Sequence, residues 1–254
     1  MKDALLIIEE KWQNKIKNYN NKIIFKNKKY FYKNKEIKIE NQIIFYKNII
    51  VFLDNKIENL KLENLLKHLN INYFLNHPFF EKSNKEFIKH ILINKKIKTP
   101  IFEKIKNNQL KNIFFNFPQP SILFDENYKK IKKIEIFQDI NNINNTNNKY
   151  FIIEEFLKGE IFWIFYLKIF NRQYTFIAKQ LKNNELAIAD VTFNDLIKKW
   201  KNEVNTNIAL LKIIKTKKRG NYILNLKTNN NIIFEDNRIK EILELNDLEL
   251  NDLI

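Results

Sequence analysis

Lysines and carboxylates are the main residues in this 254-residue chain that could do chemistry. Lys85 and Lys89 lie four apart in Lys85-Glu-Phe-Ile-Lys89. A helix puts both ammonium groups on one face, where they can meet an anion or simply face water. Glu154 and Glu155 end the apolar run Phe151-Ile-Ile and can accept hydrogen bonds or lie at a surface. Basic residues cluster most sharply at 129–133 and 215–219, without regularly interleaved aromatics. The three histidines, His68, His77 and His90, show no metal spacing such as H-x-x-x-H, and no serine stands in a nucleophile setting. The absence of cysteine excludes a thiol nucleophile and a disulfide framework. The two glycines, Gly159 and Gly220, lie in neither GxGxxG nor GxxxxGK, which excludes a P-loop or a Rossmann nucleotide site.

The formal charge of +16 is a candidate footprint for a polyanion. Lys, Asn, Ile and Phe are abundant while Gly and Pro are nearly absent, the composition that A- and T-rich codons produce whatever the function. The charge is also spread along the chain, so it reads as compositional, and nucleic acid is not an expected partner. Hydrophobic residues at 44% supply a real core. No apolar run approaches the ~18–20 residues a membrane span needs, and the first ten residues lack a secretory signal's long apolar stretch. The expected location is the cytoplasm.

The elements that would position these residues read as a mixed α/β chain. Leu5, Ile8, Trp12 and Ile16 predict an amphipathic helix over 4–18. Short β-like runs follow over 22–45, and Ile49-Ile-Val-Phe-Leu53 reads as a buried parallel strand. Helices are predicted over 57–69, 84–96, 105–115 and 193–203. Strands are predicted over 71–74, 121–124, 150–154, 161–170, 174–180, 221–226 and 231–235, with an Asn-rich loop at 141–149 and a closing helix. No repeat of fixed period is present.

Three stretches in order resemble the D-alanine–D-alanine ligases of the ATP-grasp superfamily. Ile49-Ile-Val-Phe-Leu-Asp54 with Leu62-Glu-Asn-Leu-Leu-Lys-His-Leu-Asn-Ile-Asn-Tyr73 is similar to the family's strand, helix and "L-x-I-P-Y" phrase. Ser83-Asn-Lys85-Glu-Phe-Ile-Lys89 with Ile97-Lys-Thr-Pro100 resembles "M-D-K-x-x-x-K" and "G-I-P-T-P". Phe151-Ile-Ile-Glu-Glu-Phe-Leu-Lys-Gly159-Glu160 resembles "V-x-E-x-x-x-x-G-x-E". Residues 28–39 resemble, more weakly, the family's hairpin. The resemblance implies an ATP-grasp fold of class α/β. Residues 1–82 would be a shortened N-terminal substrate domain and 83–254 an ATP-grasp domain of two α+β lobes, with Lys89 and Glu154 facing the cleft. It further implies an ATP-dependent ligase of peptidoglycan precursors, with ATP and magnesium as cofactors, a small amino-acid substrate and a homodimer.

Carried over residue by residue, the resemblance makes Lys89 the first phosphate lysine and Glu154, beside Glu155, the hinge carboxylate near adenine. The second phosphate lysine falls on Phe124, in Pro120-Ser-Ile-Leu-Phe124, and the glycine-rich phosphate loop on 127–134, where Lys129 and Lys130 are the available cations. The ribose carboxylate falls on Ile161, with Glu160 one place early and so on the opposite strand face. Two registers remain for the metal ligands. One places them on Asn221, Glu235 and Asn237; the other aligns Tyr222-Ile-Leu-Asn225-Leu-Lys227 and leaves Asn225 and Lys227 at ligand positions. The N-terminal "G-G-x-S-x-E" strand and the "P-G-M-T" loop are missing as motifs. These substitutions predict an impaired or inactive ligase, a pseudoenzyme, with a basic non-catalytic binding protein as the alternative.

Overall fold

The computed structural model describes residues 4–16, 19, 21–26, 30–33, 36–39, 42–44, 47–53, 56–75, 85–141, 143, 149–204, 206–229 and 232–254. The chain divides into two compact units, one of Met1–Ser83, Phe162–Leu211 and Leu226–Ile254, the other of Asn84–Ile161 and Lys212–Asn225.

The first unit opens with strand β1 (Ala4–Glu9) and a 3₁₀ helix over Glu10–Lys15. Strands β2 (Lys22–Phe25), β3 (Tyr30–Lys33), β4 (Glu36–Ile39), β5 (Gln42–Ile44) and β6 (Asn48–Phe52) follow, then helix α1 (Lys56–His68) and strand β7 (Asn72–Leu75). Strands β2-β1-β6-β7 form a parallel sheet in that order, and β3-β4-β5 an antiparallel meander. The helix predicted over 4–18 is thus a strand for its first six described residues. Its helical spacing was incomplete evidence, because Leu6 and Ile7 between the spaced residues are also fully buried. β1 sits between two parallel neighbours and buries both faces. Leu5 and Ile7 join Leu62 and Leu66 of α1 in one core, while Leu6 and Ile8 join a second core with Trp12. Two-sided burial explains why β1 and β6 read as unbroken apolar runs.

The second unit begins with α2 (Lys85–Asn94), followed by β8 (Phe102–Lys106), α3 (Leu110–Asn116), β9 (Ser121–Asp125), β10 (Lys130–Ile134), α4 (Gln138–Asn141) and β11 (Tyr150–Glu155). Its antiparallel sheet has the order β10-β9-β11-β8. The helix predicted over 105–115 starts later than expected. Residues from Phe102 pair with β11 first, because Ile105 faces the core beside Phe151 and Ile153. Part of the Asn-rich stretch 141–149, and also His77 and Ser83, lie outside the described residues.

Strands β12 (Gly159–Ile169), β13 (Arg172–Gln180), β14 (Leu186–Ile188), helix α5 (Asn194–Val204) and strands β15 (Ile208–Thr216) and β16 (Gly220–Lys227) come next, and the five strands form a sheet of order β14-β13-β12-β15-β16. Helices α6 (Ile232–Glu235), α7 (Asn237–Glu244) and α8 (Leu250–Leu253) close the first unit. The strand predicted over 231–235 is therefore helical in its described part. Ile232, Ile233 and Phe234 are all buried, and a short run buried all round has no period to read. β15 was not anticipated at all.

Gly159 is fixed by space. A Cβ there would lie 2.3 Å from the carbonyl oxygen of Lys215. That oxygen belongs to strand backbone, so it cannot yield without disturbing the ladder. Gly159→Ala is expected to destabilise the protein by about 1–3 kcal/mol, as overpacking does. Urea denaturation checks this; an unchanged midpoint would mean that the strands tolerate the methyl group.

Candidate functional site

In the second unit α2 and the antiparallel sheet bring the predicted residues together. α2 turns Ile88, Lys89 and Leu92 inward, and Glu86 in its first turn suits the helix dipole. On β11, Phe151 and Ile153 enter the core, so alternation sends Ile152 and Glu154 to the other face. Glu154 is paired there with Phe102 of β8 and Ile122 of β9, and Ile152 with Phe124. Lys89 meets Glu154 on this face. Its Nζ lies 2.8 Å from Glu154 Oε2, with the side chains only 3% and 10% exposed. The contact is close but poorly directed for a hydrogen bond.

Aromatic rings surround the pair. Lys89 Nζ lies 5.4 Å from the Phe102 ring, and Lys85 Nζ 5.5 Å from that of Tyr128. Tyr128 packs on Phe124 at 5.5 Å between centroids, and its buried hydroxyl has no hydrogen-bond partner. Burial pushes the Tyr128 phenol up, helped by the charges of Glu154 and Glu86. Burial likewise pulls the Lys89 ammonium below its usual 10.5, opposed by Glu154 and reinforced by Lys85.

Glu155 is also taken. Arg219 forks onto its carboxylate, one nitrogen close against Oε1 and Nη2 3.4 Å from Oε2. Glu155 raises the pKa of Arg219 through this contact. Arg219 is held by its own turn: its N–H donates to Thr216 Oγ1 at 2.9 Å, and Gly220 follows with φ +85°. Sequence reasoning gave Arg219 to a basic cluster and to the phrase Arg219-Gly220-Asn221 of the first metal register. Its partner was not readable, since the two lie 64 residues apart.

The remaining candidates lie on other elements. Lys129 and Lys130 are exposed at the turn between β9 and β10, where Asp125 Oδ1 accepts from the N–H of Lys129 at 2.8 Å. Ile161 and exposed Glu160 lie on β12. Asn221 belongs to the second unit and Glu235 and Asn237 to the first. Glu235 Oε1 accepts from Trp12 Nε1 at 3.0 Å, and Asn237 opens α7. β15 and β16 are neighbouring strands joined by a turn, whereas the described part of 231–235 is helical. Among the described residues no three His, Cys, Asp or Glu side chains form a group able to hold a metal.

The fold is that of the ATP-grasp ligases. D-alanyl-alanine synthetase A from Vibrio cholerae superposes with a TM-score of 0.59 over 99% of this chain and 96% of its own, at 9% identity. The ATP-grasp ligase PsnB, complexed with precursor peptide PsnA2 and AMPPNP, gives 0.60 over 90% of each chain at 10% identity. VanG D-Ala:D-Ser ligase from Enterococcus faecalis gives 0.54 over 99% and 97%, at 11% identity. No protein-family model and no curated protein sequence matches the chain.

A buried ion pair whose partners need each other leaves a distinctive thermodynamic signature. Lys89→Met or Glu154→Leu alone is expected to cost about 3–5 kcal/mol by stranding a buried charge, whereas the double variant should be near neutral or more stable. Single changes that are harmless in urea denaturation would show that these groups do not hold the fold. The pH dependence has a definite sign. Because the folded pKa of Lys89 is lowered, the unfolded chain binds more protons between that value and 10.5. Lys89 therefore makes stability rise with pH through that window. The same slope in Lys89→Met as in the unaltered protein would contradict this.

Proposed function

We propose that this chain is a non-catalytic ATP-grasp protein, descended from the ATP-dependent carboxylate–amine ligases of peptidoglycan precursor synthesis, in which internal contacts have replaced the phosphate and metal chemistry. Residues 1–82 are the remnant substrate domain and 83–254 the ATP-grasp domain. The buried Lys89–Glu154 pair carries this reading. The lysine expected to meet phosphate and the carboxylate expected near adenine each have the other as partner. A triphosphate would have to part them and leave Glu154 buried and unpaired.

The other substitutions point the same way. Phe124 replaces an ammonium with a ring packed on Tyr128, and a charge-assisted contact of that kind is worth about 1.5–3 kcal/mol. Glu155 is engaged by Arg219. Magnesium needs anionic oxygen ligands. The hairpin of β15 and β16 favours the register with Asn225 and Lys227 at the ligand positions, and Lys227 is itself an ammonium 2.6 Å from Asp236. The residues present do not fit a magnesium-held triphosphate. Calorimetry with Mg-ATP at millimolar concentration should give no heat of binding, and D-alanine with ATP no phosphate release. Phe124→Lys alone should restore neither. Binding at tens of micromolar by the unaltered protein would overturn the proposal.

One observation favours a retained amino-acid site. A crevice of about 430 Å³ lies where β1, β2 and β6 end, lined by Glu9, Glu10, Lys11, Phe25, Lys26 and Glu58 among others. The chain runs from β1 to β2 on one side and from β6 to β7 on the other, which makes the crevice a switch point of an open parallel sheet, the usual ligand position. Its mixed charges suit a zwitterion. NMR titration with D-alanine in the absence of nucleotide should shift Phe25 and Leu53, with affinity near millimolar. Silence there would remove this reading and leave the loss of nucleotide binding untouched.

A further inference from the structure

Lys89 and Glu154 lie on one side of the sheet of the second unit. On the other side α3 and α4 bury Leu110 and Ile140 against Phe151 and Ile153. The outer surface of that layer is apolar. Phe115 is 74% exposed and Ile136 57%, while Phe114 and Phe137 are half-buried and packed on the core beneath. Phe115 stacks on Phe137 at 5.3 Å between centroids, and Phe114 meets the two rings edge-on at 5.5 and 5.6 Å. Single exposed apolar side chains are ordinary, whereas a contiguous group with an aromatic centre marks an interaction surface.

The backbone holds this surface open. Asp139 Oδ2 accepts from the N–H of Glu135 at 2.9 Å and from that of Ile136 at 3.1 Å, which fixes the turn that presents Ile136. Phe115 rests on rings that are themselves anchored in the core.

The charges around the rings indicate the partner. Although the chain carries +16, Lys132 is paired with Asp139 at 2.8 Å and Lys133 with Glu135. The rim therefore lacks the row of unengaged cations that a nucleic-acid backbone requires. Lys111 is exposed, lies four places before Phe115 on α3, and has no ion-pair partner among the described residues. Glu135 adjoins Ile136 at the other end, with its side chain 61% exposed. Cation, rings and anion thus follow one another along the surface. Lys111 shares a helix face with Phe115, Phe115 stacks on Phe137, and the chain leads back from Phe137 to Glu135. A surface of this order is complementary to itself. Turned about a two-fold axis through Phe115, the Lys111 of one copy meets the Glu135 of the other, and the reverse contact forms at the same time.

We infer that this surface is an interface between two copies of the chain, an isologous contact centred on the Phe115 rings. It concerns the second unit alone and does not depend on the loss of nucleotide binding. Four apolar side chains are a small core beside the roughly 20–30 residues a side of a standard interface. The dimer is therefore weak, with a dissociation constant on the order of tens of micromolar.

Sedimentation equilibrium of the full chain from about 1 to about 500 µM brackets that constant and should show monomer giving way to dimer. Phe115→Ser should leave the urea midpoint unchanged, since the ring is exposed. It should weaken the dimer at least about a hundredfold, because each dimer loses both rings at its centre. Lys111→Glu and Glu135→Lys should each weaken it about three- to tenfold. Both changes in one chain should recover the original affinity, because the contact returns with its signs exchanged. A monomer at every concentration would overturn the inference. So would a dimer that Phe115→Ser leaves intact, or a doubly reversed chain that associates no better than the single reversals. A single-stranded oligonucleotide bound through Phe115 at physiological salt, by a chain that stays monomeric, would give the surface to a polyanion instead.

Discussion

Moving an ammonium and a carboxylate out of water costs several kcal/mol each, and only a close partner in the same place offsets it. Lys89 and Glu154 impose that constraint on the second unit. Their separation of 2.8 Å fixes the distance of α2 from the sheet and the face it presents. It also makes the aromatic surroundings intelligible, since the rings of Phe102, Phe124 and Tyr128 exclude the water that would otherwise screen the pair. The unsatisfied Tyr128 hydroxyl and the imperfect direction of the Lys89 contact mark a site that is closed without being fully hydrogen-bonded. Glu155, on the next residue and the opposite strand face, is held by a long-range arginine instead. Consecutive carboxylates on one strand are thus neutralised from two directions.

Much of this fold is legible in the sequence where burial leaves a period or a length. The helices at Lys56–His68, Lys85–Asn94 and Asn194–Val204 carry amphipathic patterns, and α5 buries Ile197, Trp200 and Val204 on one face. The strands at Asn48–Phe52 and Tyr150–Glu155 are short apolar runs with clear ends. Reading fails where an element is buried all round. β1 has sparse helical spacing because its first five positions are all apolar, and only its pairing with β2 and β6 decides the matter. α6 fails the other way, with three consecutive buried residues that suit a strand equally well.

At the site, residue types were readable and partners were not. The helix and strand carrying Lys89 and Glu154 could be named, yet nothing in either segment says that the two side chains would choose each other. Ion pairing across 65 positions is a tertiary fact, as is the hold of Arg219 on Glu155. The two registers considered for the metal positions differ on a point of topology. The choice between registers depended on whether 231–235 was a strand, and that stretch was ambiguous by its own composition. Once β15 is recognised, the hairpin lies upstream, over β15 and β16.

The two glycines stand where the backbone requires them. Gly159 has no room for a Cβ beside the Lys215 carbonyl, and Gly220 turns the hairpin at a positive φ. Both serve the backbone rather than a ligand. Other left-handed positions among the described residues are filled by Asn70, Asn184 and Asp247, types that tolerate that conformation, and by Lys96, Tyr128 and Phe170, for which it carries strain. Replacement of this kind preserves turns, because a turn needs only the dihedral angle. It does not preserve a phosphate loop, which needs the bare backbone that lets anionic oxygens approach N–H groups. A chain poor in glycine can therefore keep its turns where it could not build such a loop. Between β9 and β10 the chain turns without a glycine. The turn is closed by the Asp125 carboxylate accepting from the N–H groups of Asn127 and Lys129, so an internal anion occupies donors of the kind that a phosphate would seek.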